Sequence, residues 1–265
     1  MNRQSGTKLN RILKLWPAKT VAVYSWLEKQ DVSRQLVNTY QKGAWLKSVG
    51  RGAFVRFDEA VDWTGALYAL QEQLRLPVHA GGKTALELTG YAHFLPLGKR
   101  PKVFLFGSPL TKLPSWFQKH DWGVETEYSM TDLFLSKKGE SGLTRHNLDS
   151  YAISISAPER AIMEVLYLVP QRQSFEEAGL LMEGMTTLRP KLVQELLESC
   201  NSIKVKRLFI FMAAHYRHAW AGKLNLSKVD LGTGNRLIVK GGRLNNKYRI
   251  TVPESFSEEE EGAGA

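Results

Sequence analysis

Residues 33–56 read SRQLVNTYQKGAWLKSVGRGAFVR, and this stretch decides the fold of the N-terminal part of the chain. Ser33 can cap a helix over residues 34–42, because a serine hydroxyl accepts a hydrogen bond from a free amide at a helix start. Gly43 ends that helix. Residues 45–56 then predict a hairpin of two short strands around a glycine-rich turn.

Two further helices are predicted upstream of this stretch. The first is marked by apolar residues at helical spacing, Leu9, Ile12, Leu13 and Trp16. Pro17 ends it, and a brief second helix runs from a cap at Ser25 to about residue 30. Three small helices followed by a basic hairpin are typical of a winged helix-turn-helix, whose third helix enters the major groove of DNA. We therefore predict such a domain over residues 1–57.

The outward face of the third helix carries side chains that can hydrogen-bond base edges. We hypothesise that four of them probe bases: Arg34, Gln35, Asn38 and Thr39. Phosphates are expected to be held by Lys42, Lys47, Arg51 and Arg56, and Ser33 completes the predicted DNA-binding set. The helical and strand periods turn three aromatic residues toward the core: Trp26, Tyr40 and Trp45. A three-helix domain with a basic face could instead bind protein or RNA.

The net charge of +10 is concentrated in two blocks. Residues 1–57 hold eleven Lys and Arg against two acidic side chains, and residues 200–250 hold eleven against Asp230 alone. Clustered cations are typical of surfaces that neutralise phosphates, although solvated cations can also serve solubility alone. The second block predicts a further basic surface, made of Lys204, Lys206, Arg207, Arg236, Lys240, Arg243, Lys247 and Arg249.

Residues 58–252 predict a larger mixed α/β domain, so the chain is expected to have an α+β fold. Strands are predicted at 103–107, 131–136 and 153–155, and helices at 61–74, 83–89, 174–183, 188–200 and 203–221. Ser156-Ala157-Pro158-Glu159 predicts a helix start with a capping box, in which the serine hydroxyl and glutamate carboxylate bond free amides. A basic hairpin is predicted to join 236–239 to 247–252. The acidic tail, residues 253–265, is expected to be disordered.

The sequence motifs of enzymes and metal sites are incomplete in this chain. Gly81-Gly82-Lys83-Thr84 lacks the earlier glycine of a phosphate-binding loop, because Pro77 occupies that position. The six histidines have no metal-ligand spacing, and the single Cys200 excludes a cysteine-based zinc site. We expect no catalytic residue, no metal and no cofactor. No stretch reaches the ~18 apolar residues of a membrane span, so we expect a cytoplasmic protein without membrane contact.

Several motifs, taken in order, resemble the AbiEi antitoxins. In the first domain they are residues 9–17 (LNRILKLWP), 40–46 (YQKGAWL) and 49–52 (VGRG). Residues 81–88 (GGKTALEL) and 156–161 (SAPERA) extend the resemblance into the second. It covers the chain from about residue 7 to 250.

The resemblance implies a DNA-binding transcriptional autorepressor of a type IV toxin-antitoxin operon in phage defence. The winged domain is expected to bind inverted repeats of duplex DNA in its own promoter. The larger domain is expected to counter a nucleotidyltransferase-like toxin, AbiEii, and direct contact with that toxin stays open. The alternative is a stand-alone winged-helix transcription factor whose C-terminal domain senses a ligand or protein partner. An enzyme acting on nucleic acid would need a carboxylate cluster or a divalent metal.

Overall fold

The computed structural model describes residues 3–91, 100–134 and 141–257, with the side chains of residues 3–7 left out. In chain order, the helices are α1 (Arg3–Leu15), α2 (Tyr24–Lys29), α3 (Arg34–Lys42), α4 (Trp63–Tyr68), α5 (Gly82–Leu88), α6 (Ser115–Lys119), α7 (Pro158–Leu168), α8 (Phe175–Glu183), α9 (Pro190–Ser199) and α10 (Ile203–His215). The strands are β1 (Ala22–Val23), β2 (Leu46–Gly50), β3 (Ala53–Arg56), β4 (Val78–Ala80), β5 (Lys102–Gly107), β6 (Glu125–Met130), β7 (Leu143–Asn147), β8 (Ala152–Ser156), β9 (Arg243–Asn245) and β10 (Ile250–Val252).

The described residues fall into two compact units. Unit 1 takes in the described parts of Met1–Ala80, Pro96–Met130 and Arg145–Ile155. Unit 2 takes in those of Gly81–Leu95, Thr131–Thr144 and Ser156–Ala265. The predicted domain boundary near residue 57 stays a prediction. The predicted fold class is confirmed: an N-terminal winged helix-turn-helix is followed by a larger mixed α/β part.

The winged helix-turn-helix of unit 1 is built from α1 to α3 and a three-stranded sheet in the order β1-β3-β2. The predicted stripe on α1 faces a core in which Leu9, Ile12 and Trp16 are buried. The Ser33 hydroxyl caps α3 by accepting a hydrogen bond from the Leu36 amide at 3.3 Å. The predicted cap at Ser25 is wrong, because α2 begins one residue earlier and its N-cap, Val23, makes no side-chain bond.

A five-stranded sheet in the order β6-β5-β4-β8-β7 also forms in unit 1. Strand β5 lies antiparallel to β4 and parallel to β6. The strand predicted at 131–136 is wrong over residues 131–134, which form no strand, and residues 135–136 lie outside the described residues. The strand lies instead at β6, an edge strand whose mixed sequence, ETEYSM, lacks a clear apolar alternation.

Unit 2 is organised around α7, on which nine of eleven residues are buried. Helices α5, α8, α9 and α10 pack against it. The predicted helix start is close to the observed one, but its capping box is wrong. The N-cap is Ala157, without a side-chain bond, and Pro158 at the first position has no N–H that needs a cap.

The end of unit 2 differs from the predicted hairpin. Helix α10 ends at His215, and β10 pairs antiparallel with β9. Of residues 236–239, only Arg236 pairs with β10, through a parallel bridge to Ile250 in which the Thr251 amide donates to the Arg236 carbonyl at 3.0 Å. The predicted disordered tail begins with a 3-10 turn, Glu254–Phe256, in which the Phe256 ring lies 4.9 Å from that of Phe175. The rest of that tail, residues 258–265, lies outside the described residues. Across the described part of the chain, the helices are too short or too polar to traverse a membrane.

Candidate nucleic-acid interface

Helix α3 presents a polar and cationic face to solvent. The exposed side chains are those predicted to contact DNA: Ser33, Arg34, Gln35, Asn38, Thr39 and Lys42. Its opposite face is anchored by Val37 and Tyr40, which are buried in the core of the winged domain. The helix contains no acidic residue. This face therefore presents donors, acceptors and positive charge, without a carboxylate on the helix itself.

Two residues of α3 make contacts that bear on how they could meet a ligand. The guanidinium of Arg34 lies 5.1 Å from the centre of the Tyr24 ring, which leaves its N–H groups for other partners. The hydroxyl of Thr39 donates to the carbonyl of Gln35 at 3.0 Å. With its proton engaged in that bond, Thr39 can meet a base only as an acceptor.

The wing adds two exposed cations. Lys47 lies on β2 and Arg51 lies in the turn between β2 and β3. Neither they nor Lys42 form an ion pair with a carboxylate of residues 3–91, 100–134 or 141–257. The register of β2 shifts between Ser48 and Gly50, where the Ser48 hydroxyl donates to the Gly50 carbonyl at 3.0 Å. This bulge shapes the wing turn that carries Arg51.

Arg56 was predicted to hold a phosphate, but in the structure its guanidinium contacts other groups of the same unit. Its Nη2 donates to the carbonyls of Leu13, at 2.9 Å, and Trp16, and its Nη1 pairs with Glu59 at 3.2 Å. The side chain is only 22% exposed. Because the last carbonyls of a helix have no partner within it, Arg56 closes the C-terminal end of α1.

The aromatic predictions divide. Tyr40 is 1% exposed, as predicted, and Trp26 is partly buried. Trp45 is 44% exposed, so its assignment to the core is wrong. Strand β2 begins at Leu46, and Trp45 lies outside its alternation.

Three cations of the predicted second basic surface do not lie on a free surface. Lys206 is 4% exposed and Arg207 is 2% exposed. The Arg207 guanidinium donates to the carbonyls of Leu231, Gly232, Gly234 and Arg249, at 2.6 to 3.1 Å. The Lys204 amine donates to the carbonyls of Tyr167 and Val169, and burial lowers its pKa to about 8. The sequence could not indicate that these three cations of α10 are withdrawn from solvent, because the carbonyls that bind Lys204 and Arg207 come from other segments of the chain.

The other five members of that set are exposed, and they lie on or beside the β9–β10 ribbon: Arg236, Lys240, Arg243, Lys247 and Arg249. Arg243 lies 3.7 Å from Glu254, in a pair so exposed that solvent screens it. The basic patch predicted from the second charge block is thus confined to this ribbon and the segment before it.

Sequence reasoning missed α6, which packs against strand β2 of the wing. Lys119 on α6 is exposed, and the next residue, His120, is partly buried. Burial lowers the pKa of His120; Asp121 counteracts this shift, whereas Lys47 adds to it. The glycine at position 50 was a usable signal, because glycine inside a strand often marks a close approach of other chain atoms.

The GGKT segment has a structural role in unit 2. The Gly82 amide donates to Glu164 Oε2 at 3.0 Å, and Lys83 forms an ion pair with Glu177.

Burial raises the pKa of the Cys200 thiol to about 11. No group of three or more His, Cys, Asp and Glu side chains suited to a metal occurs among the described residues.

Comparison with a solved protein supports this fold. The chain resembles the crystal structure of the RV2827C protein from Mycobacterium tuberculosis with a TM-score of 0.58. The match covers 94% of this chain and 92% of that one at 11% sequence identity, so it shows the fold alone. None of the curated proteins compared with the chain matches it.

Two family models match nearly the whole sequence. Residues 5–97 match the N-terminal domain of the AbiEi antitoxin transcriptional regulators. Residues 100–253 match the model described as transcriptional regulator, AbiEi antitoxin, type IV toxin-antitoxin system. The chain therefore belongs to the AbiEi antitoxin family of transcriptional regulators of type IV toxin-antitoxin systems.

Proposed function

We propose that this protein represses its own toxin-antitoxin operon by binding duplex DNA with the winged domain of residues 1–57. The observation that carries the proposal is the exposed face of α3, which is free of acidic residues and anchored by a buried opposite side. In this proposal Arg34, Gln35, Asn38 and Thr39 meet base edges in the major groove. Ser33, at the start of α3, contacts the backbone beside them.

Phosphate contacts come from Lys42, Lys47 and Arg51, which have exposed side chains on α3 and the wing. Arg56 is excluded from this role because its guanidinium is occupied by two backbone carbonyls and Glu59. Each remaining cation neutralises a backbone charge and releases counterions, so binding weakens as salt rises. The cations on and before the β9–β10 ribbon offer the DNA a further contact.

As an antitoxin, the protein counters a nucleotidyltransferase-like toxin of the AbiEii type. The part of the chain from 58 to 252 serves this role, by direct binding or by another route. The protein acts without catalysis of its own, and it works in the cytoplasm, where its promoter is.

A reporter fused to the operon's promoter tests the repression. Wild-type protein is expected to lower reporter output, and the Arg34→Ala/Asn38→Ala double variant is expected to restore it at equal protein level. Co-expression with the toxin separates the two roles, because the double variant is expected to keep its protection against growth arrest. Repression that survives the double substitution would contradict the assignment of α3 as the reading helix.

A further inference from the structure

The wing packs against α6, a helix that begins 59 residues after the wing ends at Arg56. A Cβ placed on Gly50 would lie 2.7 Å from Trp116 Cβ and 2.9 Å from Trp116 Cα, far closer than carbon atoms pack. Gly50 also has φ +147°, which favours glycine. Trp116 is buried and its ring contacts those of Phe117 and Trp122, so α6 is anchored by an aromatic cluster. The wing turn therefore packs directly against the backbone of an anchored helix.

A cleft of about 410 Å³ lies between the wing turn and α6. The wing lines it with Val49, Gly50 and Arg51, and the α6 side lines it with Ser115, Trp116, Lys119 and His120. Arg51 and Lys119 have exposed side chains and form no ion pair within the described parts of the chain. Two cations and the exposed Ser115 hydroxyl thus border one small space.

Among the described residues, those that line the cleft include no carboxylate. The acidic residue next to it in sequence, Asp121, is held elsewhere, because Arg100 binds its two oxygens at 2.9 Å each. The Gly123 amide donates to the same carboxylate at 2.9 Å. Asp121 still acts on His120, whose pKa it raises while Lys47 lowers it, so the positive charge of the cleft comes from Arg51 and Lys119.

We propose that this cleft binds a backbone phosphate of duplex DNA, so that the DNA-binding surface extends from the wing onto α6. Arg51 and Lys119 neutralise the phosphate, and the Ser115 hydroxyl donates to one of its oxygens. The ligand is a phosphate of a duplex rather than a free anion, because Arg51 belongs to the wing that follows the DNA backbone. The inference rests on the proposed function, and it adds a contact from a segment that the family models place in the C-terminal part.

The first test compares Lys119→Gln with Lys191→Gln, an exposed lysine on α9, by fluorescence anisotropy with promoter duplex across a salt series. The expected result is a slope of log affinity on log salt that is smaller by about 0.9 for Lys119→Gln alone. Affinity is expected to fall roughly threefold to tenfold for promoter and unrelated duplexes alike. Lys119→Gln binding with the wild-type slope would overturn the inference, whereas wild-type protein that binds no duplex would overturn the proposed function instead.

Lysine acetylation followed by mass spectrometry provides a second test on the wild-type chain. Duplex DNA is expected to protect Lys119 and to leave Lys191 reactive. Inorganic phosphate at the same phosphate concentration is expected to protect neither. Protection by phosphate alone would reassign the cleft to a small anion, and stronger protection by duplex RNA than by duplex DNA would reassign it to RNA; either result would contradict the inference.

Discussion

The Ser156 hydroxyl donates a hydrogen bond to Glu164 Oε2 at 2.7 Å, with both side chains buried. The same oxygen accepts from the Gly82 amide, and the other carboxylate oxygen accepts from Arg160 Nε at 2.9 Å. One carboxylate thereby joins the GGKT segment to the SAPERA segment. Both stretches carry the family resemblance, and they meet at this buried carboxylate in unit 2.

Replacing Glu164 with glutamine tests how much these hydrogen bonds of the Glu164 carboxylate stabilise the fold. The substitution removes the negative charge that pairs with the buried Arg160 guanidinium, so Glu164→Gln is expected to lower the free energy of unfolding by about 3 kcal/mol. Urea unfolding measures the change. Glu183→Gln, at an exposed glutamate of α8, is the matched control and is expected to have little effect. Equal stability of the two variants would contradict a stabilising role of the Glu164 carboxylate.

A comparison of Arg56 with Arg51 tests which of these two cations supports the fold and which contacts DNA. Arg56→Ala frees the carbonyls at the end of α1 and is expected to cost about 2 kcal/mol of stability. The salt dependence of DNA binding by the folded variant is expected to match that of the wild type. Arg51→Ala is expected to behave in the opposite way, with unchanged unfolding and a smaller salt slope. A reduced slope for Arg56→Ala would return Arg56 to the set of phosphate contacts.

Gly50 tests the packing of the wing against α6. In Gly50→Ala the new Cβ clashes with the Trp116 backbone, and the backbone angle is strained, so a loss of about 2 kcal/mol is expected. Gly222→Ala is the control, because a Cβ there would meet nothing within 4 Å. Thermal unfolding followed by tryptophan fluorescence gives both values. A Gly50→Ala protein as stable as the control would rule out the close approach.

The lowered pKa of Glu159 predicts that the protein loses stability in acid. Burial by itself raises the pKa of this carboxyl, but the hydrogen bonds and charge of Arg189 outweigh burial and hold the pKa below its ordinary value of 4.5. A lowered pKa in the folded state means that the stabilisation is complete above pH 4.5 and is lost as pH falls through the folded value. The stability difference between wild type and Glu159→Gln, measured in urea, is expected to shrink below pH 4.5. A constant difference down to pH 3 would contradict the ion pair.

The winged domain could be predicted because its signals are local. The stripe from Leu9 to Trp16, the Ser33 cap and the glycines of the wing each act within a few residues. Partnerships that depend on tertiary packing could not be predicted. Ser156 satisfied a local capping pattern, yet its hydroxyl bonds Glu164, eight residues along the chain. The same limit applies to α6, whose contact with Gly50 depends on tertiary packing.

Charge could be counted from sequence, but its accessibility could not. Arg207 and Arg56 have the same formal charge as Arg51, and only the folded chain brings carbonyl oxygens to the first two. The candidate site therefore keeps the predicted face of α3 and loses Arg56. The second basic surface loses its three members on α10 and keeps those near the β9–β10 ribbon.

Footprinting on the DNA upstream of the operon tests the central claim most directly. Wild-type protein is expected to protect a defined sequence there, and Arg34→Ala/Asn38→Ala is expected to lose that protection, since each base contact is worth about 1–3 kcal/mol of discrimination. The control, Gln171→Ala/Arg172→Ala, removes an exposed pair of unit 2 and is expected to protect the sequence as the wild type does. Protection of the same sequence by the Arg34→Ala/Asn38→Ala protein, at the same concentration, would contradict the account.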